Sequence, residues 1–393
     1  MGSEGNIKRN GNILAGKLQS RPEEFIPYAC HLDSHTLITK DGKILQVIKI
    51  PGNNPKKNSI RENLRKTIDK NIKSDDFSLS FHNIKSKVTA NGRETGHYEN
   101  NIYVTILNST DIPSHSNFGK FLKSLKPSSE FGAWENSFKS KIDKLNEVTK
   151  NIISDLQEYD AKKLGLRNVD QTFFSEPLEF LTFLANFSNE DMPVIPTDIS
   201  GILLSSSPIF GYNTIACNNN LAAILTVKEY HEIPEKHLAK LLDLPHQFII
   251  SEIFNFITNK EMLNRMGKRI FMQKMAGDKI VGEASGLAEM ADYDKSSTVN
   301  FGEHQISLTI IEKSFSALED ATNSIISSLR ELGIVLVRED IFMEDCYFSQ
   351  LPANFVFLKR LSPLSAKKIA GYCVFGSNQE SAKTDKTNDN LNN

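Results

Sequence analysis

Cysteine is scarce in this chain. The four residues, Cys30, Cys217, Cys346 and Cys373, are widely separated and form no CxxC pair. A disulfide framework or a zinc ribbon is therefore not expected, and a reducing compartment is the default. Charge of one sign is missing too: 46 Lys and Arg stand against 48 Asp and Glu, for a net charge of −2. Such a balance excludes binding to nucleic acid or anionic lipid through bulk charge and leaves only local patches. No run of about 18 uninterrupted apolar residues occurs, so no transmembrane helix is expected. The polar opening from Met1 lacks the apolar core of a signal peptide. Gly2 follows Met1, but Asn6 stands where a myristoylation motif requires Ser or Thr. The expectation is a cytosolic, soluble protein of two or three domains, at about 150 residues each.

What the chain does have is apolar mass. Hydrophobic residues make up 39% of its 393 positions, 24 of them Phe, which is enough for a packed core and excludes wholesale disorder. Residues 1–22 are polar and Gly/Asn-rich and read as a flexible leader; residues 376–393 read as a disordered tail. Between them lie an N-terminal α/β subdomain over 23–125, a helical segment over 126–190 and a second α/β subdomain over 191–375.

In the first subdomain, two strand-like runs over 36–40 and 44–50 are joined by Asp41-Gly42, a strong hairpin signal. A basic helix follows over 56–73. Strands follow over 77–88 and 102–107, separated by a polar loop over 91–100. From residue 130 to 163 the period changes: Trp134, Phe138, Ile142, Leu145, Val148, Ile152, Leu156 and Tyr159 step by three or four. That is an apolar stripe along one long helix, to be packed in the protein's own core or against a partner, with Gly165 as its stop. A helix is expected over 176–187, with Pro193 and Pro196 marking a boundary. Strands over 221–230, 248–257, 304–311 and 334–338 then alternate with helices over 235–242, 260–290 and 315–332. The fold class read from this pattern is α+β: a small mixed sheet with a helix, a long helix, then a mixed sheet with helices packed on it.

Motifs for chemistry are sparse. Gly11, Gly16 and Lys17 have the spacing of a phosphate-binding loop, but Leu18 occupies the place of the magnesium-binding hydroxyl. Gly277 and Gly282 repeat the glycine spacing with Glu283 in place of Lys, and an anion there repels phosphate. No Walker A site is credible, and no Gly-x-Ser-x-Gly elbow is present. Cys30, His31 and His35 supply three zinc-compatible side chains without a specified fourth; a turn with exposed histidines explains them equally. Glu339, Asp340, Glu344 and Asp345 could hold magnesium or act as a base, or could simply be a solvated strand end. In the basic helix, Lys56, Lys57, Arg61, Arg65, Lys66, Lys70 and Lys73 outnumber Glu62 and Asp69. They could touch phosphates, although no aromatic residue is interleaved for stacking on bases.

Several segments, taken together and in order, resemble a known family. The stretch FIPYACHLDSHTLITKDGKILQVIKI, with Pro27, Tyr28, Asp41 and Gly42, resembles the opening of the CagE/TrbE/VirB family, the large cytoplasmic ATPases of type IV secretion and conjugation machines. AILTVKEY followed by LPHQFII, with Pro245, resembles the family's strand and its "dLPxEFII" segment. FGEH, with Gly302, Glu303 and His304, resembles "fGEHHlsL". VRED, with Arg338, Glu339 and Asp340, resembles "vRED". QLPANF, with Pro352, Asn354 and Phe355, resembles "QLPGNF". Ala353 replaces the family's Gly, and Gln305 replaces its second His. The resemblance covers about residues 25–375 and implies the family's N-terminal half, without its RecA-like nucleotide domain. It assigns the motif residues structural or interaction roles and brings no catalytic, cofactor or metal ligand with it. It implies a docking and assembly component, cytoplasmic and peripheral to the inner membrane. The expected partners are other type IV secretion components, a possible second copy and a possible separate ATPase chain; ATP and magnesium enter only through a missing or separate motor. A truncated or split ATPase and a nucleic-acid-binding module remain as alternatives.

Overall fold

A computed structural model describes residues 21–52, 59–72, 76–90, 93–108, 129–229, 234–257, 264 and 301–375. The glycine-spaced segments at 11–17 and 277–282, the tail from 376 and the helix expected over 260–290 (Asn264 apart) lie outside these residues.

The chain opens with strands β1 (Tyr28–His31), β2 (Leu37–Thr39) and β3 (Ile44–Pro51). The expected hairpin joins β2 to β3, with Leu37 opposite Leu45. Gly42 sits at φ 86°, a left-handed conformation that glycine adopts without steric cost. Helix α1 (Ile60–Asn71) starts where the Ser59 side chain accepts a hydrogen bond from the Glu62 N–H. Lys56, Lys57 and Lys73 of the expected basic helix are outside the described residues.

Strands β4 (Phe77–Ala90) and β5 (Arg93–Asn108) form a long hairpin. The polar stretch expected as a loop over 91–100 is largely strand: Asn100, Glu99 and Tyr98 continue the ladder opposite Lys85, Ser86 and Lys87. A ladder partner keeps polar residues extended where composition alone suggests a loop.

Helix α2 (Ser129–Asp155) is shorter than the apolar periodicity suggested. A 3-10 turn at Gln157–Tyr159 ends in Asp160 at φ 55°, and Lys162–Lys163 becomes strand β6 against β3. Gly165 does not stop the helix. It lets the His35 ring approach, since a Cβ there would lie 2.5 Å from ring atoms. Leu145, Val148, Ile152, Leu156 and Tyr159 are buried with residues of α1 and the sheet, so this part of the stripe is internal core. The Trp134 side chain is outside what is described.

Strands β7 (Leu166–Val169) and β8 (Thr172–Ser175) make a separate hairpin that leads into helix α3 (Glu176–Asn186). Strands β9 (Ile209–Phe210), β10 (Ile215–Cys217) and β11 (Asn220–Glu229) follow. Helix α4 (Glu235–Leu238) continues as a 3-10 turn over Ala239–Asp243. Then come β12 (Gln247–Ile257), β13 (Phe301–Glu312), α5 (Phe315–Glu331), β14 (Val335–Arg338), α6 (Met343–Ser349) and β15 (Ser362–Ser365).

The α+β class holds. Among the described residues, all strands except β7 and β8 belong to one 13-stranded sheet, whose main path runs β1-β2-β3-β5-β4-β12-β13-β11-β10-β9. The strands of residues 23–125 meet those of 191–375 where β4 pairs β12, from Phe248 opposite Lys85 to Asn255 opposite Ser78. Every described ladder is antiparallel, not mixed as expected. The crossover suggested by β13-α5-β14 exists, but β11 lies between the two parallel strands and pairs with both. Both faces of the sheet are covered: α3 and α6 pack on one, and α1, α2 and α5 on the other. That double burial leaves the central strands little exposed on either face, and they bury polar side chains such as His82, Glu252 and Gln305 along with the apolar ones.

Candidate functional site

The motif residues gather at three polar junctions that hold distant parts of the chain together. The first joins the N-terminal segment to the turn after α6. The Tyr28 hydroxyl donates to the Pro352 carbonyl at 2.8 Å. The Asn354 amide donates to the Phe25 carbonyl at 3.0 Å and to the Phe348 carbonyl at 2.9 Å. The Phe25 ring meets Phe348 edge-on at 5.0 Å and Phe357 at 5.5 Å. Lys43 lies over the Phe355 ring, and the Pro27 carbonyl accepts from the Lys40 N–H at 2.7 Å. Asp41 pairs with Lys43 at 2.9 Å and accepts from the Thr39 hydroxyl. Ala353, at the place of the family's Gly, sits at φ 75°. Its Cβ is strained in that conformation, so Ala353→Gly is expected to stabilise the fold by about 0.5–1 kcal/mol, measured by urea unfolding.

The second junction lies on the same face of the sheet. Glu339 is fully buried and accepts two hydrogen bonds from the Arg360 guanidinium, at 3.0 and 3.2 Å, and one from the Thr226 hydroxyl. Arg360 also stacks on Phe342. The neighbours of Glu339 turn elsewhere. Arg338 pairs with Glu319 of α5 at 2.7 Å, and Asp340 accepts from the Tyr212 hydroxyl at 3.2 Å. Gln305 donates to the Ser349 hydroxyl and accepts from the Lys359 and Arg360 N–H groups. These are two opposite hydrogen-bonding roles that one amide can fill. Gln350 donates to the Leu184 carbonyl, and its own carbonyl accepts from His82 Nε2 at 2.8 Å. Burial pushes His82 down to about 4, against the opposing pull of that carbonyl, so the ring stays neutral.

The acidic group expected at 339–345 is therefore dispersed. Glu339 is committed to Arg360, Asp340 faces Tyr212, and buried Asp345 lies 3.7 Å from Lys359. His35 donates through Nδ1 to the Leu164 carbonyl. Among the described residues, no three His, Cys, Asp or Glu side chains group as metal ligands would.

The third junction is on the opposite face. His304 Nε2 lies 3.0 Å from Glu252 Oε1, with both side chains buried. The Glu252 carboxylate also accepts from the Gly371 and Tyr372 N–H groups, each at 3.2 Å. Burial opposes its charge, but these donors and His304 outweigh it and hold the carboxyl below the usual range. Glu303 lies opposite Asn255 and Pro363 in the ladders. Gly302 is required by close packing: a Cβ there would lie 2.4 Å from the Phe254 ring and 2.6 Å from the Asn255 carbonyl oxygen. Gly302→Ala is expected to cost about 1–3 kcal/mol, read from the same unfolding curves. The Pro245 carbonyl accepts from the Tyr98 hydroxyl, and Lys85 beside it donates to the Leu242 and Leu244 carbonyls.

The described charges of the basic helix divide: Arg61 and Arg65 turn inward, whereas Lys66 and Lys70 stay at the surface. Arg61 is buried, Arg65 donates to the Ile369 and Lys368 carbonyls, Lys66 pairs with Glu62 and Lys70 with Asp155. Arg65 and Lys70 tie the helix to residues 368–369 and to α2, while the Lys66 pair lies within the helix itself. A 350 Å³ pocket between α3 and the sheet is lined by Lys49, Tyr103, Glu176, Glu179 and Asp191, among others. Three of its carboxylates are engaged: Glu176 with the Gly165 N–H and Lys162, Glu179 and Asp191 with Arg167.

Sequence reasoning missed Glu252, Arg360 and His82, and named Gln350 only as the first residue of the QLPANF segment. Glu252 carried a usable signal, as a lone carboxylate inside the apolar run Phe248–Ile257. The others are recognisable only from their partners.

A family model described as "CagE, TrbE, VirB family, component of type IV transporter system" matches residues 162–360. Among curated proteins, the type IV secretion system protein virB4 of Bartonella henselae is 24% identical, over 92% of this chain and 50% of its own length. Protein virB4 of Rhizobium radiobacter is 22% identical, over 98% of this chain and 50% of its own. The type IV secretion system protein PtlC of Bordetella pertussis is 20% identical, over 94% and 47%. The chain spans about half the length of these relatives.

Proposed function

Because the chain belongs to the CagE, TrbE, VirB family of type IV transporter components, we propose that it is the docking and assembly half of a VirB4-type ATPase, working at the cytoplasmic side of the inner membrane. One observation carries this reading. The motif side chains that mark the family are spent on holding the sheet and its flanking segments together, as a scaffold requires. Glu339 binds Arg360, His304 binds Glu252, and Asn354 with Tyr28 fastens the N-terminal segment. Its partners in this proposal are other type IV secretion components and further copies of itself. No described helix is long and apolar enough to cross a membrane, so attachment is proposed to be peripheral.

The test is ATP turnover by the purified chain together with co-purification from cells expressing the secretion components. The expected result is turnover indistinguishable from buffer and retention of the chain with the assembled machine. Rapid hydrolysis by the chain alone would overturn the proposal.

A second reading is favoured by the half-length match: the chain is one piece of a split ATPase whose motor is a separate polypeptide. Mixing it with a chain that spans the other half of the relatives would then restore turnover. Docking alone predicts binding without a gain in rate.

A further inference from the structure

Among the described residues after β15 no further ladder forms, yet residues 369–375 are almost wholly buried. Their backbone is held by side chains from four other elements. Arg65 of α1 donates to the Ile369 carbonyl at 2.8 Å and to the Lys368 carbonyl at 3.1 Å. Asn83 of β4 donates to the Val374 carbonyl at 3.0 Å, and Asn100 of β5 to the same oxygen at 3.2 Å. Glu252 of β12 receives the Gly371 and Tyr372 N–H groups. Ala370 is held at φ 56°, a strained conformation for a residue with a Cβ. A segment fastened in this way opens at the cost of its own contacts. A ladder strand cannot leave without breaking the sheet.

We propose that residues 369–375 form a strap that leaves its seat as a unit while the sheet stays folded, with Glu252 as its latch. Glu252 suits the role because one carboxylate joins His304 on β13 to two consecutive strap amides. Hydrogen bonds to a charged acceptor are the stronger kind. The open strap uncovers an apolar seat between α1 and the sheet, where Ile369, Ala370, Cys373 and Phe375 now pack. The strap is thus a conformational device that can expose or cover that surface without unfolding the body.

Cys373 provides the readout. It is a free thiol, 1% exposed, and lies in the strap; Cys346, 0% exposed, lies in the core on the opposite face. Iodoacetamide labelling of the native chain, resolved by peptide mass spectrometry, measures how often each becomes accessible. Cys373 is expected to react at least about tenfold faster than Cys346. Glu252→Gln keeps one amide oxygen as an acceptor but turns its NH₂ toward the other strap N–H, and should raise the Cys373 rate about tenfold further, with Cys346 unchanged. Arg65→Ala removes the two carbonyl contacts without touching β12 and should act in the same direction. If Glu252→Gln does not fold, the Arg65→Ala comparison decides alone. A common rate for both cysteines, a parallel rise of both, or a Cys373 rate indifferent to the substitutions would each overturn the proposal.

Discussion

Phe348→Ala is expected to lower the unfolding free energy by about 3–5 kcal/mol, the range for truncating a fully buried aromatic side chain. The Phe348 ring is 0% exposed and packs edge-on with Phe25 and Tyr347 and at a tilt with Phe357. It ties the N-terminal segment, α6 and the turn carrying Asn354 into one cluster. The surrounding groups are rings fixed by other contacts: the Tyr347 hydroxyl donates to the Ala185 carbonyl, and Phe25 and Phe357 also pack on each other. Collapse around the cavity is therefore limited, and the cost falls toward the upper part of the range. Urea unfolding measures the loss. Hydrogen exchange should locate the added mobility at residues 25–28 and 352–357. A change below 1 kcal/mol would show that the cluster is not a structural centre.

The second large effect is acid destabilisation through His82. The ring is held neutral in the folded chain, its pKa pushed down by burial from its ordinary value of 6.5 to about 4. In the unfolded chain it takes up a proton near its ordinary value. Between these two limits the unfolded state binds more protons, so stability falls as the pH is lowered from 6.5 toward 4. Integrated over that window the loss is about 3 kcal/mol. Above pH 6.5 both states are neutral at this site and it contributes no slope. Glu252 acts lower: its depressed carboxyl contributes stability that is lost only as pH falls through and below the ordinary carboxylate range. Unfolding free energies measured at intervals from pH 7 to pH 4 should show the slope, and His82→Gln should flatten its upper part. An unchanged slope in that variant would assign the effect elsewhere.

Much of the architecture was legible from residue patterns. The Asp41-Gly42 hairpin, α1, α3, α5 and the core strands follow from turn chemistry, capping residues and apolar periodicity, all of which are local signals. Boundaries failed where tertiary partners override local preference. The polar residues of β5 stay extended because β4 lies beside them. Helix α2 gives way to β6 because β3 offers Lys162 and Lys163 a ladder. Of the candidate site, the motif residues were identifiable from their resemblance to a family, but what they bind was not. Nothing in VRED says that its Glu is buried under an arginine twenty-one residues away while the adjacent Asp faces Tyr212. Nothing in FGEH says that its His faces a carboxylate on the neighbouring strand.

By itself the sequence determined the α+β class, the family and the amphipathic faces that must be buried. These depend on side-chain type and spacing, which a linear string records directly. The tertiary structure alone decided that two groups of strands fuse through β4 and β12 into one antiparallel sheet. It also decided that Arg61 and Arg65 of the basic helix face the interior, and that residues 369–375 are held by side chains instead of a ladder. Strand pairing and burial of charge are set by which distant residues meet. No local pattern encodes the partner of a hydrogen bond formed across hundreds of residues.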